Sequence, residues 1–421
     1  MNRRRGIATA ACFLLCAHLG LAAERRFEWS TESAEAKSLL ADLQARIENF
    51  EAGPHLAEIA RKIVAADPKF AMGEYYLSAV APPNEGQAHL DKAVELSKSA
   101  SEGERRFIEA MAVVRANQGA NFAGGIPLLE KIAADYPGER LTYMLLGQLY
   151  QGSNDSAKAR ATFEKALAVG PPSARARSFI ANDDLLREKS AESRAAFASI
   201  ERELPKGSLP FVIRYGVAFS HLYEGHPEPA VDALETYLAE YRESGASQGF
   251  PEVFIWNSIA RIHLETGNAA EAMKAYEKGY ESVPGSTLPE DQKQLWYGRL
   301  LHGKCRTLAK MGKHQEAWTE AEKVRMMIEE GGEAGKQYLL AYHYLAGYLK
   351  LERGEIDEAV EQLEKADPRD PFHRLLLARA YERKGDKEAA RKTYAEVVGS
   401  TANGIERALA YPEAKRKLAT L

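Results

Sequence analysis

Apolar and small residues recur at helical spacing along most of this chain, in paired stretches divided by short polar turns. From Tyr143 the order is Tyr143-x2-Leu146-Gly147-x2-Tyr150, then Ala159-x3-Phe163-x2-Ala166, then Pro171. Residues three and four apart share one helix face, so each stretch predicts an amphipathic helix with one buried stripe. The order returns at Trp256-x2-Ile259-Ala260-x2-His263, Ala272-x3-Tyr276-x2-Gly279, Pro284. Proline closes each unit because it cannot continue a helix. The same register fits Ala112-Val113 with Leu129, Ile180-Ala181 with Phe197, Val217-Ala218 with Ala230, and Lys304-Cys305 with Ala317. It continues through Ala346-Gly347 with Ala359 and Leu377-Ala378 with Ala390. Residues 56–68 and 77–96 read as two degenerate copies. The period is about 34 residues and the count about ten, the signature of stacked helix pairs. The last segment, Ile405 to Leu418, has no partner and contains Pro412, so it is expected to cap the stack.

Each position has a mechanical reason. Small residues at Gly147 and Ala260 let the first helix approach the second, where a larger side chain would overpack by about 1–3 kcal/mol. Phe163 and Tyr276 fill the space between helices. Residues in this pattern resemble the tetratricopeptide repeat family. The resemblance implies an all-α, right-handed solenoid of about ten helix-turn-helix repeats with a concave binding face. A narrower likeness, to exported bacterial members, rests on the strand-like lead Phe27 to Ser30, the helix-like Glu32 to Phe50, and Ser101-Glu102-Gly103-Glu104-Arg105. Three connections are long and rich in Gly, Pro or Ser: Ser244 to Pro251, Pro284 to Pro289, and Gly331 to Gly335. The first is the expected boundary between half-solenoids spanning 24–243 and 252–421.

The N-terminus follows different rules. Arg3, Arg4 and Arg5 precede an apolar stretch from Gly6 to Ala22, and small residues then lead into Glu24, Arg25 and Arg26. A positive start, a short apolar core and a small-residue site predict a signal peptide over 1–22, cleaved after Ala22 or Ala23. The expected location is periplasmic or secreted. Membrane contact would come only through an uncleaved anchor, for which the stretch falls short of the ~20 apolar residues that span a bilayer. Cleavage also removes Cys12 and Cys16, leaving Cys305 with no internal disulfide partner. With 28% charged residues and a formal net charge of -4, the chain has no basic excess to suggest a nucleic-acid partner.

Chemical motifs fail on context. Gly245-Ala246-Ser247-Gln248-Gly249 matches a nucleophile elbow in letters, but that elbow needs a strand before the serine. Gly298-x4-Gly303-Lys304-Cys305 lacks the Ser or Thr of a phosphate loop and falls on the first helix of the eighth repeat. Cys305 falls in the small-residue slot, as an apolar filler. His221 and His226, five apart, do not stack on one face. No enzyme, metal or cofactor is expected.

In the repeat family the first helix of each pair faces the groove. That resemblance places Met144 and Gln148, Ser178 and Asn182, Tyr215 and Phe219, Asn257 and Arg261, His302 and Arg306, Tyr344 and Tyr348, and Leu375 and Arg379 on the inner face. The family's carboxylate clamp is absent, since Ser178 and Gly216 stand where a lysine and an asparagine belong. The partner-binding candidates are Tyr215, Asn257, Arg261, His302, Arg306, Tyr344 and Tyr348, because aromatic residues and arginine most often dominate interface energetics. The expected function is an exported scaffold or adaptor holding a protein or peptide in that groove. The alternative is a glycan-binding solenoid of an envelope or polysaccharide export system.

Overall fold

The computed structural model describes residues 25–119, 121–153, 155–205, 210–244, 250–286 and 288–421. The expected signal peptide and the Gly245–Gly249 turn lie outside them. The regular structure of the described residues is helical, in successive pairs: α1 (Ala34–Glu48) with α2 (Pro54–Ala66), α3 (Ala71–Val80) with α4 (Pro83–Ser97), α5 (Glu102–Gly119) with α6 (Phe122–Asp135), and α7 (Arg140–Gly152) with α8 (Ser156–Ala168). Next come α9 (Ala174–Leu186) with α10 (Ser190–Glu203) and α11 (Phe211–Tyr223) with α12 (Pro227–Glu243). They continue as α13 (Phe250–Glu265) with α14 (Ala269–Glu281), and α15 (Glu290–Lys310) with α16 (His314–Glu330). After a short helical turn come α17 (Leu339–Arg353) with α18 (Ile356–Glu364), α19 (Pro371–Lys384) with α20 (Lys387–Gly399), and the unpaired α21 (Ile405–Leu418). These ten pairs match the expected count.

The chain divides into two compact units, one of residues 1–183 with 200–208 and one of 184–199 with 209–421. The division falls in the fifth pair. A half-solenoid boundary was expected at the 244–251 connection. Packing carries on across that connection: Tyr215 Oη lies 3.1 Å from Ser258 Oγ, and Arg242 Nε donates to Glu252 Oε1 at 3.1 Å. The loop lengthens the chain without parting α11 and α12 from α13.

Within each unit one packing rule recurs. The large residue of a second helix meets the next first helix two positions before its small slot. Phe163 stacks on Phe179 at 4.6 Å between ring centroids. Phe197 covers Gly216, where a Cβ would lie 2.3 Å from the ring, and Tyr276 covers Gly303, where it would lie 2.7 Å away. Ala218, Ala260, Cys305 and Ala378 then sit at zero exposure in the slot itself. Gly216→Val is accordingly expected to cost about 1–3 kcal/mol by forcing the Phe197 ring to move. Denaturant unfolding with an unchanged slope and a lower midpoint is the readout; an unchanged midpoint would contradict the contact. Burial pushes the Cys305 thiol up to about 12, which suits an inert filler. The phosphate-loop lookalike lies wholly inside α15, so its backbone N–H groups face along a helix and cannot cradle a phosphate.

The N-terminal unit explains the Ser-Glu-Gly-Glu turn. Residues 25–30 form neither helix nor strand, and their backbone is held by carboxylates: Phe27 N donates to Glu139 Oε2 at 3.2 Å and Ser30 N to Glu104 Oε2 at 2.9 Å. Gly138 N donates to the Arg25 carbonyl at 2.9 Å. The Phe27 ring packs against Tyr136 and Phe107, and a Cβ on Gly103 would fall 2.6 Å from it. Ser101 thus starts α5, Gly103 admits the ring and Glu104 ties the lead down. Gly103→Val is expected to release the lead, seen as new tryptic cleavage after Arg25 and Arg26 while α5 stays protected.

Candidate functional site

The inner face of the C-terminal unit is built from its first helices, and it is filled. Arg306 on α15 lies 5% exposed. Its Nη2 donates to Tyr276 Oη at 2.9 Å and its Nη1 to Tyr344 Oη at 3.0 Å, linking α14 to α17. Tyr344 lies between two imidazoles, His302 at 5.2 Å and His373 at 4.1 Å, both near-parallel to it. Burial, together with the Arg306 cation, holds the His302 imidazolium well below its ordinary range. His373 is lowered as well, mainly by burial, with Asp370 opposing.

Arg261 on α13 reaches across to α19, its guanidinium 4.8 Å from the centre of the Phe372 ring. It also pairs with Glu406 on α21. Arg379 on α19 holds Glu413 of α21 in a bidentate pair, Nε to Oε1 at 2.8 Å and Nη2 to Oε2 at 2.6 Å. Despite their burial, both carboxyls are held below the ordinary range by these arginines. Further along α21, Arg407 Nη1 donates to Tyr223 Oη at 2.9 Å on α11. Tyr411 and Lys415 both bond Glu188, in the turn between α9 and α10. The C-terminal helix therefore caps the last pair, as expected, and also returns to α11 and α13.

Of the seven candidates, the structure brings Arg261, His302, Arg306, Tyr344 and Tyr348 together. Tyr348 is 1% exposed, with its hydroxyl lacking a protein partner among the described residues. Tyr215 lies apart, in an aromatic cluster with Phe211 and Phe254. Asn257 is half-buried on α13. Other positions that the register turns inward, Met144, Ser178, Asn182, Phe219 and Leu375, are buried too. Within the C-terminal unit the return of α21 adds Glu406 and Glu413 to the inner wall, against Arg261 and Arg379. Sequence reasoning missed Glu406, Arg407, Tyr411 and Glu413. Their one local signal was a helix with charged and small residues on the same face.

Comparison with known proteins agrees with the helix pairs. The tetratricopeptide repeat family matches residues 142–171, which are α7 and α8, and also 218–287 and 344–405 in the C-terminal unit. None of the curated proteins matches the chain. Similar solved structures include PilW, a widely conserved type IV pilus biogenesis factor, at 18% identity and a TM-score of 0.42, covering 56% of this chain and 97% of that one. A tetratricopeptide repeat protein from Parabacteroides merdae matches at 14% identity and a TM-score of 0.42, covering 65% and 98%. Human IFIT1 matches at 14% and 0.44, covering 90% and 98%. With its family matches falling on observed helix pairs in both units, the chain carries tetratricopeptide repeats.

Proposed function

We propose that this chain is an exported scaffold of the cell envelope that binds a protein or peptide through the inner face of its repeats, and that it is a binding protein and not an enzyme. Its repeat family supports a role in protein–protein interaction. The observation that carries the finer reading is the inner wall of the C-terminal unit, where Arg261 and Arg379 grip carboxylates presented by a helix. A wall able to hold one helix by charge-assisted bonds has the chemistry to hold another.

Affinity capture from an envelope extract tests this, using residues 24–421 and the same bait with Arg261→Gln and Arg379→Gln. Glutamine keeps polarity and much of the side-chain volume. A protein retained by the first bait and lost from the second supports the reading, provided both baits have the same helix content. Retention by both, or by neither, counts against the inner wall. N-terminal sequencing of the mature protein from its source tests export, with Ala23 or Glu24 expected as the first residue.

A further inference from the structure

We infer that α21 is a built-in occupant of the inner wall, and that the wall is a receptor for a helix carrying two carboxylates seven residues apart. This rests on the adaptor reading above and names the chemistry of the partner. Glu406 and Glu413 are two helical turns apart, so they lie on one face of α21, and each meets an arginine from a different first helix. Between and beside them stand Ala408, Ala410 and Ala414, all at zero exposure. Alanine lets the helix axis come close to the wall while adding little apolar area. Ile405 and Tyr411 of the same helix are buried as well, so apolar contact and the two ion pairs together specify the seam.

Two features make this occupant exchangeable. Its tether is the non-helical stretch 400–404, so the helix can leave without unwinding α20. Pro412 inside it removes one helical hydrogen bond from the middle of the helix. The fit is also incomplete. Arg261 Nε is buried without a protein partner among the described residues, as is Glu265 Oε1 beside Arg379. A partner helix that reached these atoms would bind with bonds that α21 does not make. A cleft of about 380 Å³ lined by Arg379, Glu382, Arg383, Glu413 and Lys417 opens along one edge of the seam.

The test uses the full chain and a labelled peptide of residues 401–421 as the probe. In the wild-type protein the tethered helix acts at an effective concentration of roughly millimolar and excludes the peptide. Glu406→Gln with Glu413→Gln weakens the tethered copy, so fluorescence anisotropy should show the wild-type peptide binding at least tenfold more tightly to this variant than to the wild-type chain. A peptide carrying the same two glutamines should lose that advantage. Equal binding to both proteins, or binding that ignores the glutamines, would overturn the proposal. Hydrogen exchange on the unaltered chain gives an independent reading: α21 amides should open faster than those of α19. Equal protection of the two helices would show a fixed structural element and overturn the exchange. A positive peptide result with a negative extract capture would leave the receptor standing and remove the envelope adaptor; the reverse pattern would place partner binding on another face.

Discussion

Arg306→Ala is expected to be among the most damaging single substitutions in the C-terminal unit, costing about 3–5 kcal/mol. The guanidinium joins Tyr276 and Tyr344 by two charge-assisted hydrogen bonds, so its loss leaves two phenols without that donor. Each buried hydroxyl left unpaired costs about 1–3 kcal/mol, and truncating the stem adds a cavity. Burying a cation is itself expensive, which lowers the net worth of the arrangement but not the cost of breaking it. Arg306→Met separates the two contributions, because methionine keeps most of the stem and drops the donors. Denaturant unfolding should rank wild type above Met and Met above Ala. If methionine matched the wild type, the stem's packing and not its hydrogen bonds would hold α14 to α17. The effect should appear in the C-terminal unit, with the protection of α3 and α5 amides unchanged.

What the sequence made legible, and what it hid, follows from the range of each interaction. The pairing of α7 with α8 and of α13 with α14 could be read because its determinants lie within one period: a small slot, a large insert, a closing proline. Cys305 fell in its slot for the same reason. So did the Ser-Glu-Gly-Glu turn, whose letters were recognised before its job was: Gly103 and Glu104 seat the lead that stands some 75 residues earlier. The return of α21 could not be read. Glu188 and Tyr411 are 223 residues apart, and they meet only because small rotations between successive pairs accumulate. No single repeat encodes that sum. Arg306, Tyr344 and Tyr348 are buried, although one repeat at a time they look like residues facing an open groove.

Mild acid is expected to loosen the C-terminal unit before the N-terminal one. His302 and His373 have folded-state affinities for protons below that of an exposed histidine, so the unfolded chain binds more protons than the native one. Stability then rises with pH across that window and falls as pH drops below the unfolded value of about 6.5. Each fully depressed imidazole contributes a slope of up to about 1.4 kcal/mol per pH unit. Protonating His302 places a cation against Arg306 and Arg261; protonating His373 sets one near Arg261, with Asp370 and Asp367 softening the cost. Glu406 and Glu413, also depressed, add a second loss once pH falls through the ordinary carboxylate range near 4.5. The N-terminal unit has the opposite device. Burial raises Glu104 and Glu139, so the native state takes up their protons more readily than the unfolded chain, and that contribution favours folding as pH falls. Hydrogen exchange at pH 7.5 and 5.5, corrected for the intrinsic pH dependence of exchange, should show protection lost in α13, α15, α17 and α19 while α5 and α7 keep theirs. His302→Gln with His373→Gln should flatten the C-terminal response above pH 5. A response unchanged by that pair would rule out the imidazoles stacked on Tyr344 as the source of the acid sensitivity above pH 5.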